Sequence, residues 1–261
     1  MFPKLLTAGP FFLPSYGFFV ALGVLLGLWI TLREARRTGV PTEKVENLAV
    51  AVVLVGIVGS KILMFVLDFE YYRRNPDRVL SLETLLSAGV FHGGFLLALL
   101  TTLLLVKRWK MPLWETADAF APGLAMGHAV GRIGCFAAGC CWGKTCDRPW
   151  AVRFTDPDAH ALTGVPLQRP LHPTQLYETI ALFIIFLVLL KFRRRSPGSL
   201  FGLYLVLYGS ARLGLEFFRD PQQNPPFGGP FSTTQWIAVG LALFGVWLVS
   251  GRPYTRVRSA A

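Results

Sequence analysis

Charge is what this sequence has least of. Only 16% of its 261 residues are charged while 53% are hydrophobic, whereas about a quarter of an ordinary soluble domain is charged. A soluble enzyme is therefore excluded and a polytopic membrane protein indicated. Acidic residues are scarce, 15 against 26 Lys and Arg, which leaves a net charge of +11. The positives nevertheless fall in short clusters between apolar runs rather than on one basic face, so nucleic acid is not the partner they serve. The apolar run from Phe11 to Leu32 contains no small-x-small cleavage site, so it is expected to stay as a helix rather than leave as a signal. The four cysteines, Cys135, Cys140, Cys141 and Cys146, contain no C-x-x-C pair. That spacing argues against a zinc or iron–sulfur site and against a dithiol redox motif. Neither an internal repeat nor a second domain is visible, and the chain reads as one polytopic membrane domain over residues 1–261.

What is present is a series of apolar segments near the length of roughly 20 residues that a membrane helix needs. They predict an all-α integral membrane protein with seven transmembrane helices, over 16–32, 48–67, 95–106, 116–130, 172–190, 200–218 and 236–250. The fourth is the weakest, interrupted by Asp118, Pro122 and His128, and the second carries Lys61, which must face protein, water or headgroups. Residues 131–173 are polar and rich in Gly and Pro, too long for a turn, and are expected to form an ordered external loop. Orientation follows from the basic residues. Segments 33–44, 107–114, 191–198 and 252–261 hold 14 of the 26 Lys and Arg, so that side is expected to be cytoplasmic. The N-terminus, His92, the 131–173 loop and His172 then lie outside, and the C-terminus inside.

Candidate chemistry concentrates on that outer side. His92 lies between Phe91 and the pair Gly93-Gly94; glycine lets substrate approach closely, and an imidazole can accept a proton from a thiol or alcohol. Arg132 lies in a run that includes Gly131, Gly134, Gly139 and Gly143. It either caps a helix end or, with glycine N–H groups, captures a phosphate. Arg212 and Glu216 are spaced i, i+4 on one helix face, as a structural pair or as part of an anion site, and Arg219 follows near the helix end. In His172-Pro173-Thr174-Gln175-Leu176-Tyr177-Glu178, Tyr177 reads as an interfacial aromatic. Glu178, near the membrane, needs a partner, with Arg132 or Arg212 available. On an oxidising exterior the cysteines suit disulfides that staple the loop, with the pairing open.

Taken in order, these motifs resemble bacterial prolipoprotein diacylglyceryl transferase: Tyr16-Gly17, Phe91-His92-Gly93-Gly94, Gly131-Arg132-Ile133-Gly134-Cys135-Phe136 running on to Gly143, the His172 to Glu178 motif, and Tyr208-Gly209 through Arg212 to Glu216-Phe217-Phe218-Arg219. The resemblance implies a multi-pass enzyme of the bacterial inner membrane. It would transfer the diacylglyceryl group of phosphatidylglycerol to the lipobox cysteine thiol of a preprolipoprotein signal peptide, releasing glycerol phosphate, without cofactor or metal. It assigns Arg132 and Arg212 to the lipid phosphate and His92 to deprotonation of the thiol. Tyr16, Gly93, Gly94, Cys135, Gly143, Tyr177, Glu178, Glu216 and Arg219 fall to substrate binding or support. The family usually has asparagine where this chain has Cys135 and glutamate where it has Cys140. A relative with altered substrate, a membrane thiol-redox protein and a non-enzymatic lipid or precursor binder are the alternative readings.

Overall fold

The computed structural model describes residues 2–8, 11–81, 84, 89–192, 196–219 and 231–250. The connection expected over 220–230 and the basic residues at 193–195 and 252–258 lie outside them. A hairpin of β1 (Lys4–Ala8) and β2 (Phe11–Pro14) precedes helices α1 (Ser15–Thr38), α2 (Thr42–Leu67), α3 (Phe69–Arg74), α4 (Phe91–Arg108) and α5 (Leu113–Ala138). Strand β3 (Val152–Arg153), helix α6 (Pro157–Thr163) and strand β4 (Pro170–Leu171) follow, and then α7 (Thr174–Lys191), α8 (Ser199–Glu216) and α9 (Thr233–Ser250). The described residues are mostly helical, with two small two-stranded sheets among them, β1-β2 and β3-β4.

Among the described residues five helices, α1, α2, α4, α7 and α9, are long and apolar enough to cross a membrane. Helices α5 and α8 have the length, at 26 and 18 residues. They occupy the positions predicted for the fourth and sixth spans and carry the polar residues, His128 and Arg132 on one, Arg212 and Glu216 on the other.

Two boundaries differ from the sequence reading in ways that matter. The third apolar helix begins at Phe91, so His92, Gly93 and Gly94 are its first turn rather than its leader. The fourth runs on to Ala138. The stretch Gly131 to Ala138, expected to open the loop, is therefore helix, because its glycines are single and spaced, which costs a helix about 1 kcal/mol each without breaking it. The helix ends at Gly139, whose φ of 80° is the left-handed terminator that glycine accepts without strain. Beyond it, the loop builds a core of its own from Trp142, Phe154, Ala159, Val165 and Leu171.

The backbone groups into two units, Met1–Glu34 with Ala117–Ala261, and Ala35–Thr116. In the first, α1 packs on α5 through glycine. A Cβ at Gly27 would come within 2.9 Å of Gly123 O, and one at Gly127 within 2.8 Å of Gly23 O, so these backbones touch as small-residue membrane seams do. Asp118 of α5, read as an interruption, accepts from Gly198 N at 2.7 Å and Phe201 N at 2.8 Å. It caps α8, satisfying N–H groups that the helix leaves unpaired. In the second unit α2 packs on α4, and Cβ atoms at Gly59 and Gly94 would each lie 2.7 Å from the facing carbonyls of Gly93 and Gly56. Lys61 of α2 donates from Nζ to Thr84 O at 2.6 Å, a protein partner of the kind its position demands.

Candidate active site

Glu178 is the residue on which the polar groups converge. It lies in the first turns of α7, 3% exposed, and three other groups reach its carboxylate. Arg132 Nε from α5 stands 3.0 Å from Oε2, His128 Nε2 lies 3.6 Å from Oε1, and the Tyr208 hydroxyl of α8 donates to Oε1 at 3.2 Å. A carboxylate this deep is costly unless paired, and here it has both a counter-charge and a donor. The expected arginine partner is thus Arg132. His128 and Tyr208 escaped the sequence reading as site residues, although each stands four positions before an arginine, Arg132 and Arg212, and hence on the same helix face.

A second pair stands beside this one. Arg212 Nη2 lies 2.9 Å from Glu216 Oε2 one turn on, and Ser232, at the start of α9, donates from Oγ to Glu216 Oε1 at 3.0 Å. Arg212 is 8% exposed, and its Nη1 has no hydrogen-bond partner among the described residues. Both arginines lie within electrostatic reach of His128 and Tyr208. The two ion pairs therefore form one buried, charge-balanced cluster with a guanidinium donor left open, which an anionic acceptor can satisfy.

The loop closes on this cluster at Gly143. Gly143 N donates to His172 O at 3.0 Å, Lys144 N to Phe218 O at 2.9 Å and His172 N to Lys144 O at 2.9 Å, and Gly143 bridges Arg219 in antiparallel fashion. A Cβ at Gly143 would overlap Phe218 O and stand 2.7 Å from His172 Cβ and Thr174 Cγ2, so the crossing admits only glycine. Arg219 is thereby fixed by its backbone. Tyr177 does not join the Glu178 cluster; its hydroxyl accepts from Trp150 Nε1 at 2.7 Å and sits 3.0 Å from His172 Nδ1, bracing the loop. Partial burial, and then the nearby Arg148 charge, hold the His172 imidazole below its ordinary range.

At the end of α5 the cysteines meet. All four are free thiols, in contrast to the disulfides expected for the loop, and the Sγ atoms of Cys135, Cys140 and Cys141 all lie within 4.8 Å of one another. Arg132 Nη1 approaches Cys135 Sγ to 3.9 Å. Hydrogen bonds from Cys135 and then Cys140, followed by the Arg132 and Arg219 charges, hold the Cys141 thiol below its ordinary range. Tyr16, at the start of α1, lies within electrostatic reach of the same thiols and of Arg132, and its backbone carbonyl abuts Gly134, where a Cβ would approach to 3.3 Å.

The structure thus brings Tyr16, Arg132, Cys135, Gly143, Glu178, Arg212, Glu216 and Arg219 into one unit. His92, Gly93 and Gly94 belong to the other. There His92 is exposed with its ring against Phe91, centroids 5.9 Å apart. Gly93 and Gly94 are buried against α2, and their lack of side chains serves helix packing.

Comparison with known proteins covers nearly all of the chain. The family model described as prolipoprotein diacylglyceryl transferase matches residues 3–250. Bacterial proteins named phosphatidylglycerol–prolipoprotein diacylglyceryl transferase are similar along most of their length. That of Sodalis glossinidius is 32% identical over 269 residues, covering 95% of this chain and 92% of the relative. That of Erwinia tasmaniensis is 31% identical over 282 residues, 99% and 96%, and that of Clostridium tetani 30% over 237 residues, 90% and 91%.

Proposed function

The chain belongs to the prolipoprotein diacylglyceryl transferase family, and on that premise we propose that the cluster around Glu178 and Arg212 is its phosphate-holding active site. The protein is a membrane enzyme that transfers the diacylglyceryl group of phosphatidylglycerol to prolipoprotein. The acceptor is the lipobox cysteine of the precursor's signal peptide. Its thiol sulfur attacks the glyceryl carbon, a C–S bond forms, the C–O bond to phosphate breaks, and glycerol phosphate leaves with the electron pair. Arg132 and Arg212 stabilise the charge that develops on the leaving phosphate, the largest single contribution such a site can make. His92 is the proposed acceptor of the thiol proton, Gly93 and Gly94 flank it, and Cys135, Gly143, Glu216, Arg219, Tyr16 and Tyr177 shape the site or support it.

The observation that carries this reading is the buried Arg212, whose Nη1 is free of hydrogen-bond partners among the described residues while its Nη2 is ion-paired with Glu216. A buried donor left open calls for an acceptor, and a lipid phosphate supplies several. The same residues account for α5 and α8 being less apolar than their neighbours, and we infer seven membrane spans. The enzyme is placed in the bacterial inner membrane, with the N-terminus and the 139–173 region outside and the C-terminus in the cytoplasm. Purified full-length protein, incubated with phosphatidylglycerol vesicles and a lipobox peptide, is expected to yield a peptide heavier by one diacylglyceryl group in a mass spectrum. Arg212→Ala is expected to lower the rate of product formation on the order of 10²–10³-fold at unchanged folded content. An unmodified peptide from folded wild-type protein overturns the activity, and full activity of Arg212→Ala overturns the site.

A further inference from the structure

The cysteine spacing C-x4-C-C argued against a metal, but linear spacing is not what the folded chain presents. Cys135 stands in the last turn of α5, and the chain turns back at once through Gly139, so that Cys140 N donates to Cys135 O at 3.0 Å. Cys141 has a φ of 61°, a left-handed conformation that costs a side-chain-bearing residue about 1–2 kcal/mol and persists only where the surroundings fix it. Here α7 fixes it: Thr174 Oγ1 donates to Cys141 O at 2.8 Å, and Gln175 Nε2 to Cys140 O at 2.6 Å. The result is three Sγ atoms within 4.8 Å of one another. Sulfurs sharing one zinc at about 2.3 Å stand roughly 3.8 Å apart, so the three lie close to the spacing that a shared ion requires.

Two further observations fit a cation. Gln175 is 1% exposed, and its Oε1 has no hydrogen-bond partner among the described residues, an acceptor that water bound to a metal would satisfy. Arg132 Nη1 at 3.9 Å from Cys135 Sγ suits the net charge of such a complex, since three thiolates around a divalent cation sum to −1.

We propose that Cys135, Cys140 and Cys141 form a three-thiolate binding site for a thiophilic d10 cation of the zinc class. Loading releases one proton from each thiol to solvent as three S–metal bonds form, and the fourth tetrahedral position is left to water, as in zinc sites with three protein ligands. The site rests on the free thiols and their geometry and holds whether or not the chain transfers lipid. Because Arg132 touches both Glu178 and Cys135, the loaded site adjoins the phosphate cluster and helps hold that guanidinium in place.

The test uses full-length protein in detergent, stripped with chelator, kept reduced, and reconstituted with Zn2+ or Co2+. One zinc per chain is expected by elemental analysis, and an intense sulfur-to-cobalt charge-transfer band with Co2+. Cys135→Ser and Cys141→Ser are expected to weaken zinc binding at least about tenfold, the lower end of what even an outer-shell loss costs. Cys146→Ser, whose thiol instead accepts from Arg148 N at 3.4 Å, retains the full complement. Failure of the wild-type protein to take up stoichiometric zinc or to show the cobalt band overturns the site even if the serine variants do not fold. Equal loss in Cys146→Ser overturns it as well, and so does a native disulfide among the three whose reduction restores no uptake. Protein that lipidates the peptide but holds no zinc refutes this inference alone; protein that holds zinc and lipidates nothing refutes the transferase reading alone.

Discussion

Of the glycine seams that bring helices into backbone contact among the described residues, two invite comparison: Gly23 and Gly27 against Gly123 and Gly127 between α1 and α5, and Gly56 and Gly59 against Gly93 and Gly94 between α2 and α4. They use the same device, since without a hydrophobic driving force between helices in lipid, close van der Waals approach must supply the association. They differ in what stands at their ends. The α1–α5 seam runs on to Gly134, Arg132 and Cys135, where charges pair with Glu178 and sulfurs gather. The α2–α4 seam ends at His92, exposed beside Phe91. Glycine in these helices is thus a packing residue, and chemistry begins where a seam stops and polar side chains from a third and fourth helix converge.

That contrast can be broken. The largest effect is expected from Arg212→Ala, which removes the open donor; the lipidation rate should fall on the order of 10²–10³-fold with the thermal transition retained. A smaller loss would mean that Arg132 alone holds the phosphate. Next is Glu178→Gln, which strips the counter-charge from a buried arginine. A stability loss of about 3–5 kcal/mol is expected, read by thermal unfolding in detergent, and an unchanged transition would show the pair to be dispensable. The two seams should then respond alike to overpacking: Gly127→Leu and Gly94→Leu are each expected to cost about 1–3 kcal/mol, and a large asymmetry between them would show that one seam does more than pack.

The smallest effect concerns pH. His172 has a folded pKa below its ordinary value, so the neutral form is the one folding favours. Its contribution is complete above the ordinary imidazole pKa of 6.5 and is lost as pH falls below that value through the folded pKa. Thermal transitions measured from pH 8 to pH 5 should therefore decline slightly more for wild-type protein than for His172→Gln. Equal declines would remove His172 from the pH response.

The sequence alone determined a great deal, because membrane insertion and family motifs are written locally. Apolar run lengths, basic clusters and the order of the motifs at 91–94, 131–143, 172–178 and 208–219 are properties of consecutive residues, and they sufficed for a helical membrane protein and its family. Pair partners across helices were not legible in the same way. That Glu178 needed an arginine followed from burial cost, but the choice of Arg132, and the arrival of His128 and Tyr208, depended on how α5, α7 and α8 pack. The cysteines show the limit most clearly. Their linear spacing spoke against a common site, and only the end of α5, the reversal at Gly139 and the left-handed Cys141 bring three sulfurs together, because chain direction after a helix terminus is set by tertiary contacts that spacing does not record.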